Sequence, residues 1–384
     1  MVKALALTDK GIERVALMEL SELIKAKGSS DERVVLFEAK NEDDLFKFCY
    51  LTQASQRVLI HMASFDFDDY EDFMKKAEDS LKDVAWKDWF EDDTNFRVEC
   101  ERLGEHDFGS STAEQDVGEL IIIGVNKELG FEPKVNLETP DIRLYIFVND
   151  NKAYIGVDLV GRDLSKRQYR IFTAPGILNA NLSYALVRMS GYKKKEKLVD
   201  LFCKSGVLCI EAALYNAGIS SSHYNKDFSF KKIKRYSRDW DAFFKKIDDK
   251  KCDDKQDIKG YDSLLRNLEA SKKNAKLAGV DKLINFSKMD LDWMDTKIDE
   301  KTVDIVISRI QCPSKNFGEG NAKKLYKELF YQAEFFVKKK GRLCLLSENL
   351  NLLKDMMSKE FKLTKEDELW AGKQRYEYVI IEKI

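Results

Sequence analysis

Residues 198–214 join three pieces: a short apolar run ending at Asp200, a turn, Phe202-Cys-Lys-Ser-Gly206, and a helix-like run with Ile210, Ala213 and Leu214 on one side. Strand, small-residue turn and helix is how an α/β fold turns backbone N–H groups and a helix N-terminus toward a ligand. Lys204 stands where such a turn favours a second glycine, because a Cβ restricts positive φ and holds the backbone away from a ligand. Glu211 follows on the helix, and with Asp200 it frames the turn. Asp262, in Gly260-Tyr-Asp262, ends a second apolar run, and its two acceptor oxygens suit a vicinal diol. Asp290 ends a third, Phe286-Ser-Lys-Met-Asp290. A strand-end aspartate also serves as a helix cap or turn former, so each of these has an architectural reading beside the ligand one.

The elements that must position these residues follow from periodicity. Strands are expected at 197–200, 258–261, 283–288, 303–308 and 341–346, with a hairpin from 362 to 384. A helix at 325–339 buries Leu325, Leu329, Phe336 and Val337, and Gly341 suits its stop. Alternating strands and helices with an antiparallel last pair predict a doubly wound sheet. Residues 1–65 read β-α-β-α-β, with strands at 4–7, 34–39 and 57–63 and a second helix at 42–51. Residues 70–160 form another α+β block, with helices at 70–81, 84–89 and 114–127 and strands at 96–100, 135–137, 142–148 and 153–158. Residues 219–255 are a polar insertion. There Lys231, Lys232, Lys234, Arg235, Arg238 and Trp240 interleave charge and ring, as on an RNA surface or on a solvated helix face. Lys166, Arg167 and Arg170 form a local basic cluster, suited to phosphate or to plain solvation.

Composition narrows the function classes. A chain of 384 residues with 44% apolar content supports two or three domains with real cores. With 34% charged residues but a net charge of −2, any nucleic-acid surface must be local. Seven scattered cysteines without a C-x-x-C spacing read as reduced, intracellular thiols and give no zinc site or other metal centre. The start is too soon charged for a signal peptide, and no apolar run reaches about 18 residues. A cytoplasmic protein without a membrane span is expected, and a homodimer is left open.

A resemblance emerges from six pieces in one order: Phe96-Arg-Val-Glu-Cys-Glu-Arg102, His106-Asp-Phe-Gly-Ser-Ser111, Glu114 with Val117-Gly118, Val135-Asn-Leu-Glu-Thr-Pro-Asp141, Ala153-Tyr-Ile-Gly-Val-Asp-Leu-Val-Gly-Arg162, and Leu164-Ser-Lys-Arg-Gln-Tyr-Arg170. These resemble a THUMP domain with its ferredoxin-like partner. The segment from Ala174-Pro-Gly176 to Arg188 resembles the helix that precedes the catalytic domain in THUMP-bearing methyltransferases. The whole chain is similar to the THUMP-domain class I RNA methyltransferases that act on guanine N2, in tRNA first and in large-subunit rRNA next.

The resemblance implies an α/β fold: a ferredoxin-like unit (1–65), a THUMP domain (66–165), a linker with a helix (166–194) and a Rossmann-like methyltransferase domain (195–384). It implies S-adenosylmethionine held by Asp200, Phe202, Cys203, Ser205, Gly206, Asp262, Asp290 and Ser308. It implies an RNA end, of tRNA or rRNA, docked by Arg97, His106, Lys166, Arg167 and Arg170. The family carries Asn-Pro-Pro-aromatic at the end of the fourth strand, where Asn and Pro oxygens position the guanine amine. This chain has Arg309, Ile310, Gln311 and Cys312 there; a two-residue slip would instead offer Gln311 as the amide. The family's first motif, Asp-Pro-Phe-Cys-Gly-Ser-Gly-Thr, is here Asp200-Leu-Phe-Cys-Lys-Ser-Gly-Val207. The resemblance therefore leads to a methyltransferase or, with both motifs altered, to a catalytically silent RNA-binding paralogue.

Overall fold

A computed structural model describes residues 1–251 and 256–384; Cys252 and the end of the polar insertion lie outside the described residues. The first half is built on one eight-stranded sheet. Its strands are β1 (Val2–Leu7), β2 (Gly28–Asp31), β3 (Val34–Ala39), β4 (Arg57–Asp66), β5 (Asn95–Leu103), β6 (Lys134–Val135), β7 (Ile142–Asn149) and β8 (Lys152–Asp158), in the order β2-β3-β1-β4-β8-β7-β5-β6. Antiparallel pairing of β4 with β8 fuses the first 65 residues to the block that follows. Helices α1 (Glu13–Ile24) and α2 (Glu42–Leu51) pack on the first part, α3 (Tyr70–Leu81) and α4 (Ser110–Leu129) on the second. Side-chain caps start two of them: Asn41 accepts from the Asp44 N–H and Asp69 from the Asp72 N–H. The helix expected at 84–89 is only a 3-10 turn, Trp86–Asp88. The Trp86 ring lies against Gly124 of α4, where a Cβ would come within 2.5 Å of its indole nitrogen. Tertiary packing of the ring overrides the local preference.

The second half is a seven-stranded sheet of order β11-β10-β9-β12-β13-β15-β14. Helix α5 (Ala180–Met189) leads into β9 (Leu198–Asp200), α6 (Val207–Ala217), α7 (Trp240–Asp248), β10 (Ile258–Asp262), α8 (Leu265–Leu277) and β11 (Ile284–Lys288). Then come β12 (Val303–Arg309), α9 (Glu319–Phe336), β13 (Val337–Ser347), α10 (Asn351–Asp355), β14 (Phe361–Ala371) and β15 (Gln374–Lys383). β9 lies between β10 and β12 and is parallel to both, so the strand order reverses there. Helix α9 ends three residues before the expected 339. Val337 already pairs with Val303, and Lys340 at φ 62° marks the irregular stretch that holds Gly341.

Two contacts stand out among those that lock the halves together. The insertion folds over α2: Phe46 meets the rings of Phe230 (4.7 Å between centroids), Tyr236 (4.9 Å) and Trp240 (5.2 Å), while the Tyr50 hydroxyl donates to Asp248 at 2.8 Å. Its cations are spent on the same contact. Arg235 pairs with Glu42 at 3.2 Å, Lys234 with Glu91 at 3.0 Å, and Arg238 with Asp43. For Lys234, Arg235 and Arg238 the expectation of an RNA surface or solvated face gives way to an internal clamp, because each has an acidic neighbour on the N-terminal half. The second contact is buried and charged. Glu211 of α6 takes the Arg167 guanidinium (3.0 Å), the Tyr169 hydroxyl (2.7 Å) and the Gln53 amide (2.7 Å), and Arg167 also donates to the Gln53 carbonyl at 2.6 Å.

Removing one member strands a charge in the core. Arg167→Met is expected to cost about 3–5 kcal/mol, and Arg167→Met with Glu211→Gln markedly less, read from urea unfolding midpoints.

Candidate functional site

The carboxyl ends of β9, β10 and β12 converge on the turn after β9, at the point where strand order reverses and open α/β sheets bind ligands. Asp200 is buried there. Its carboxylate accepts from the Ser308 hydroxyl at 2.7 Å and from the Phe202 N–H at 3.2 Å, while Ser308 accepts from the Leu201 N–H at 2.8 Å. Burial pushes the Asp200 carboxyl up to about 7, against the pull of the Ser308 hydrogen bond. Ser308 is thus a prop for Asp200. The turn itself is held from three sides. The Cys203 N–H donates to the Tyr261 carbonyl at 2.8 Å, the Lys204 N–H to Asp262 at 3.0 Å, and the Ser271 hydroxyl to the Lys204 carbonyl at 2.9 Å. Lys204 sits at φ 50°, so the backbone keeps a glycine-like conformation that costs a side-chain-bearing residue roughly 1–2 kcal/mol. Gly206, at φ 78°, has no room for a Cβ: Phe286 and Ser271 would each lie 2.9 Å from it.

Asp262 closes β10 with one oxygen on the Leu264 N–H and the Asn267 amide, both at 2.9 Å, and the other on the Lys204 N–H. The second oxygen retains acceptor capacity. Asp262 lines a cleft of about 660 Å³ together with Phe202, Leu291, Arg309, Gln311 and Phe317. Asp290, just past β11, is exposed.

Lys204 and Arg309 meet. The Lys204 ammonium donates to the Gly176 carbonyl at 2.8 Å, and the Arg309 guanidinium donates to the same oxygen. Arg309 is anchored behind by Glu348 and lies 5.2 Å from the Tyr376 ring centre. Burial opposes ionisation of Glu348, but the Arg309 charge and the hydrogen bonds from backbone, Arg309 and Cys312 together outweigh it and hold the carboxyl below its usual range. Burial and the neighbouring Arg309 charge both lower the Lys204 ammonium. Ile310 points into the core, with its N–H on the Leu346 carbonyl and its carbonyl on the Ser347 hydroxyl at 3.0 Å. The Gln311 carbonyl takes the Tyr326 hydroxyl at 2.8 Å, and the Cys312 thiol faces Glu348 at 3.5 Å.

The two cations draw residues 176–178 over the turn. Between them remains a cavity of about 30 Å³, lined by Ser183, Asp200, Cys203 and Ser205 among others. The Ser183 and Ser205 hydroxyls are both buried and without a hydrogen-bond partner among the described residues. A nucleoside-linked amino acid meets mixed conditions here. Asp262 and the 660 Å³ cleft fit its nucleoside half, and the two hydroxyls suit its polar amino-acid end. The volume for that end is about that of one water molecule, so it does not fit while Lys204 and Arg309 hold Gly176.

The expected RNA contacts divide. Lys166 is exposed and Arg170 half-buried. Arg167 is not presented to a ligand at all: it is buried in the ion pair with Glu211, which corrects the expectation for both residues. Arg97 donates to the Leu137 carbonyl at 2.8 Å, and His106 contacts the Asp150 carbonyl at 2.8 Å and stacks on Phe67. Sequence reasoning gave no role to Gly176 or Glu348, and none to Asn274 beyond its place between the Asp262 and Asp290 motifs. Only Asn274 left a signal, as a buried-face amide on an otherwise charged helix. Among the described residues no helix is long and apolar enough to cross a membrane, and no group of three or more His, Cys, Asp or Glu is placed to hold a metal.

Comparison with known proteins agrees with this architecture. The family model described as RMKL-like methyltransferase domain matches residues 167–375, and the THUMP domain model matches residues 71–158. A tRNA (guanine(6)-N2)-methyltransferase of Methanocaldococcus jannaschii is 27% identical over 363 residues, 93% of each chain. The ribosomal RNA large subunit methyltransferase K/L of Vibrio parahaemolyticus is 27% identical over 75% of this chain, which spans only 41% of that protein's length. Among solved structures, a protein in complex with SAH has a TM-score of 0.82 at 19% identity, over 99% of this chain and 97% of that one. TrmN from Thermus thermophilus has 0.73 at 22% identity, over 100% of both chains. These likenesses extend the fold to both halves.

Asp200 generates a pH prediction. Its folded value of about 7 lies above the ordinary 3.8, so the native state binds the extra proton and stability falls as pH rises between those values, then levels. Asp200→Asn keeps an acceptor for Ser308 without the charge. Thermal melts from pH 4 to pH 8 should show the variant gaining on the wild type up to about pH 7 and no further.

Proposed function

The chain belongs to the RMKL-like methyltransferase family, joined to a THUMP domain, and from that premise we propose that it is an S-adenosylmethionine-dependent guanine-N2 methyltransferase acting on tRNA. The observation that carries the reading is Asp262: a strand-end carboxylate with a free acceptor position on a 660 Å³ cleft, at the reversal of strand order. In this reading Asp262 holds the ribose hydroxyls and Asp290 meets the adenine amine. Once Lys204 and Arg309 release Gly176, the turn from Phe202 through Cys203 and Ser205 to Gly206 would lie along the amino-acid part, with Asp200 and Ser308 beneath it. The cofactor, when bound, supplies an electrophilic methyl group. The protein's part is to bring a guanine amine into line with it, from a base taken out of its stack. Residues 309–312 stand where that amine is positioned. Arg97, His106, Lys166 and Arg170 are the RNA-facing set, and the THUMP half, residues 66–165, docks the RNA end.

One observation favours a second reading, a catalytically silent RNA-binding paralogue. Arg309 donates where the family's Asn accepts, and with Lys204 it holds Gly176 over the methyl site. Labelled S-adenosylmethionine with a tRNA pool and total RNA separates the two. Label recovered as N2-methylguanosine supports transfer. Binding of tRNA without any label in RNA at single-turnover enzyme excess overturns it in favour of silence. If transfer occurs, Asp262→Asn should raise the KM for the cofactor about 10–100-fold, the worth of one charge-assisted hydrogen bond.

A further inference from the structure

The linker between the halves carries two apolar residues that the fold leaves in solvent. Ile171 is 63% exposed and Phe172 38%. Neither is loosely placed. The Phe172 N–H donates to the Asn274 side chain at 3.1 Å, and the Asn274 amide returns to the Phe172 carbonyl at 2.8 Å. Asn274 is fully buried and also donates to the Ser205 carbonyl at 3.0 Å, so the same side chain ties Phe172 to the turn of the candidate site. Four residues further on is Gly176. The Lys273 ammonium lies 4.9 Å from the centre of the Phe172 ring.

A hollow of about 720 Å³ adjoins Ile171 on the side away from Gly176. Its wall includes Tyr224, 68% exposed, and Leu277, 42% exposed, with Gln168 and Lys276 as polar members and no carboxylate. The Tyr224 ring rests on Gly279, where a Cβ would lie 2.5 Å from the Tyr224 oxygen, so the ring has a seat despite its exposure. Ile171 and Tyr224 thus share one hollow, and Phe172 follows Ile171 in the chain. From α8, Lys276 lines the hollow and Lys273 lies over the Phe172 ring, and neither forms a salt bridge among the described residues. Exposed rings beside lysines that have no acidic partner match single-stranded nucleic acid, whose bases stack and whose phosphates are neutralised. A protein partner would find rim lysines without acidic counterparts.

We propose that Phe172 and Tyr224 are stacking platforms for unpaired bases of the bound RNA, with Lys273 and Lys276 on the phosphates. The proposal rests on the RNA reading above and assigns the path the strand follows on the second half. Binding of the full-length protein to a tRNA transcript and to an unstructured RNA hexamer tests it, by fluorescence anisotropy at several salt concentrations. Phe172→Ala and Tyr224→Ala should each weaken hexamer binding about 5–100-fold, with Phe172→Tyr and Tyr224→Phe near wild type. Lys273→Gln with Lys276→Gln should lower the salt slope by about 1–2. Both aromatic positions are exposed, so the variants keep the wild-type melting temperature. Wild type that binds tRNA and hexamer while both alanine variants bind them equally well overturns the platforms and leaves the RNA reading standing. Wild type that binds neither RNA overturns both. Wild type that binds tRNA but not the hexamer confines RNA to the THUMP half and overturns the proposal alone.

Discussion

Glu211 carries its carboxylate into a place without water, and three segments supply what the charge requires. Arg167 and Tyr169 come from the linker, Gln53 from the end of α2, and Glu211 itself from the helix that follows the candidate turn. A buried charge that loses its partner is costly, so these segments have one relative placement. That placement orients the methyltransferase sheet against the N-terminal sheet. It also sets the course of residues 168–178, which leave Arg167 and run past Phe172 to the candidate site. The aromatic clamp around Phe46 and the docking of the β14–β15 tip, where the Trp370 N–H donates to the Lys10 carbonyl at 3.1 Å, hold the same arrangement from either side.

The course of the linker gives the two motif departures a common meaning. A lysine in a glycine turn and an arginine in place of an asparagine are separate changes along the chain. In space they reach one carbonyl oxygen, that of Gly176. Two donors on one acceptor, one of them braced by Glu348, leave the polar hollow around Ser183 and Ser205 with room for little more than a water molecule. Asp262 is untouched by this closure. The site thus divides into a nucleoside half that is open and an amino-acid half that is shut, with Lys204 and Arg309 as the boundary.

Much of this was legible in the sequence. Periodicity located most strands of both sheets, because each buries one face and the pattern is local; the exposed β2 and the short α7 and α10 were not expected. Asp200, Asp262 and Ser308 were found as residues at strand ends. The misreadings have one cause, a partner distant along the chain. The Lys204–Gly176 contact spans 28 positions and Arg309–Gly176 spans 133. Arg167 read as a surface cation because its neighbours Lys166 and Arg170 are charged, while its true partner lies 44 positions on. The insertion read as an RNA surface or a solvated helix face for the same reason: Arg235 and Arg238 find Glu42 and Asp43 across the domain boundary. Helix α9 was drawn too long because Val337 and the lysines after it suit a helix, whereas pairing with Val303 makes them strand.

Calorimetric titration with S-adenosylhomocysteine and with adenosine, on the wild type and on the Lys204→Gly, Arg309→Asn double variant, tests the divided site most directly. Adenosine lacks the amino-acid tail, so it should bind both proteins alike. S-adenosylhomocysteine should bind the wild type no better than adenosine does and the double variant at least tenfold more tightly. A wild type that takes S-adenosylhomocysteine as tightly as the double variant would contradict the closure at Gly176.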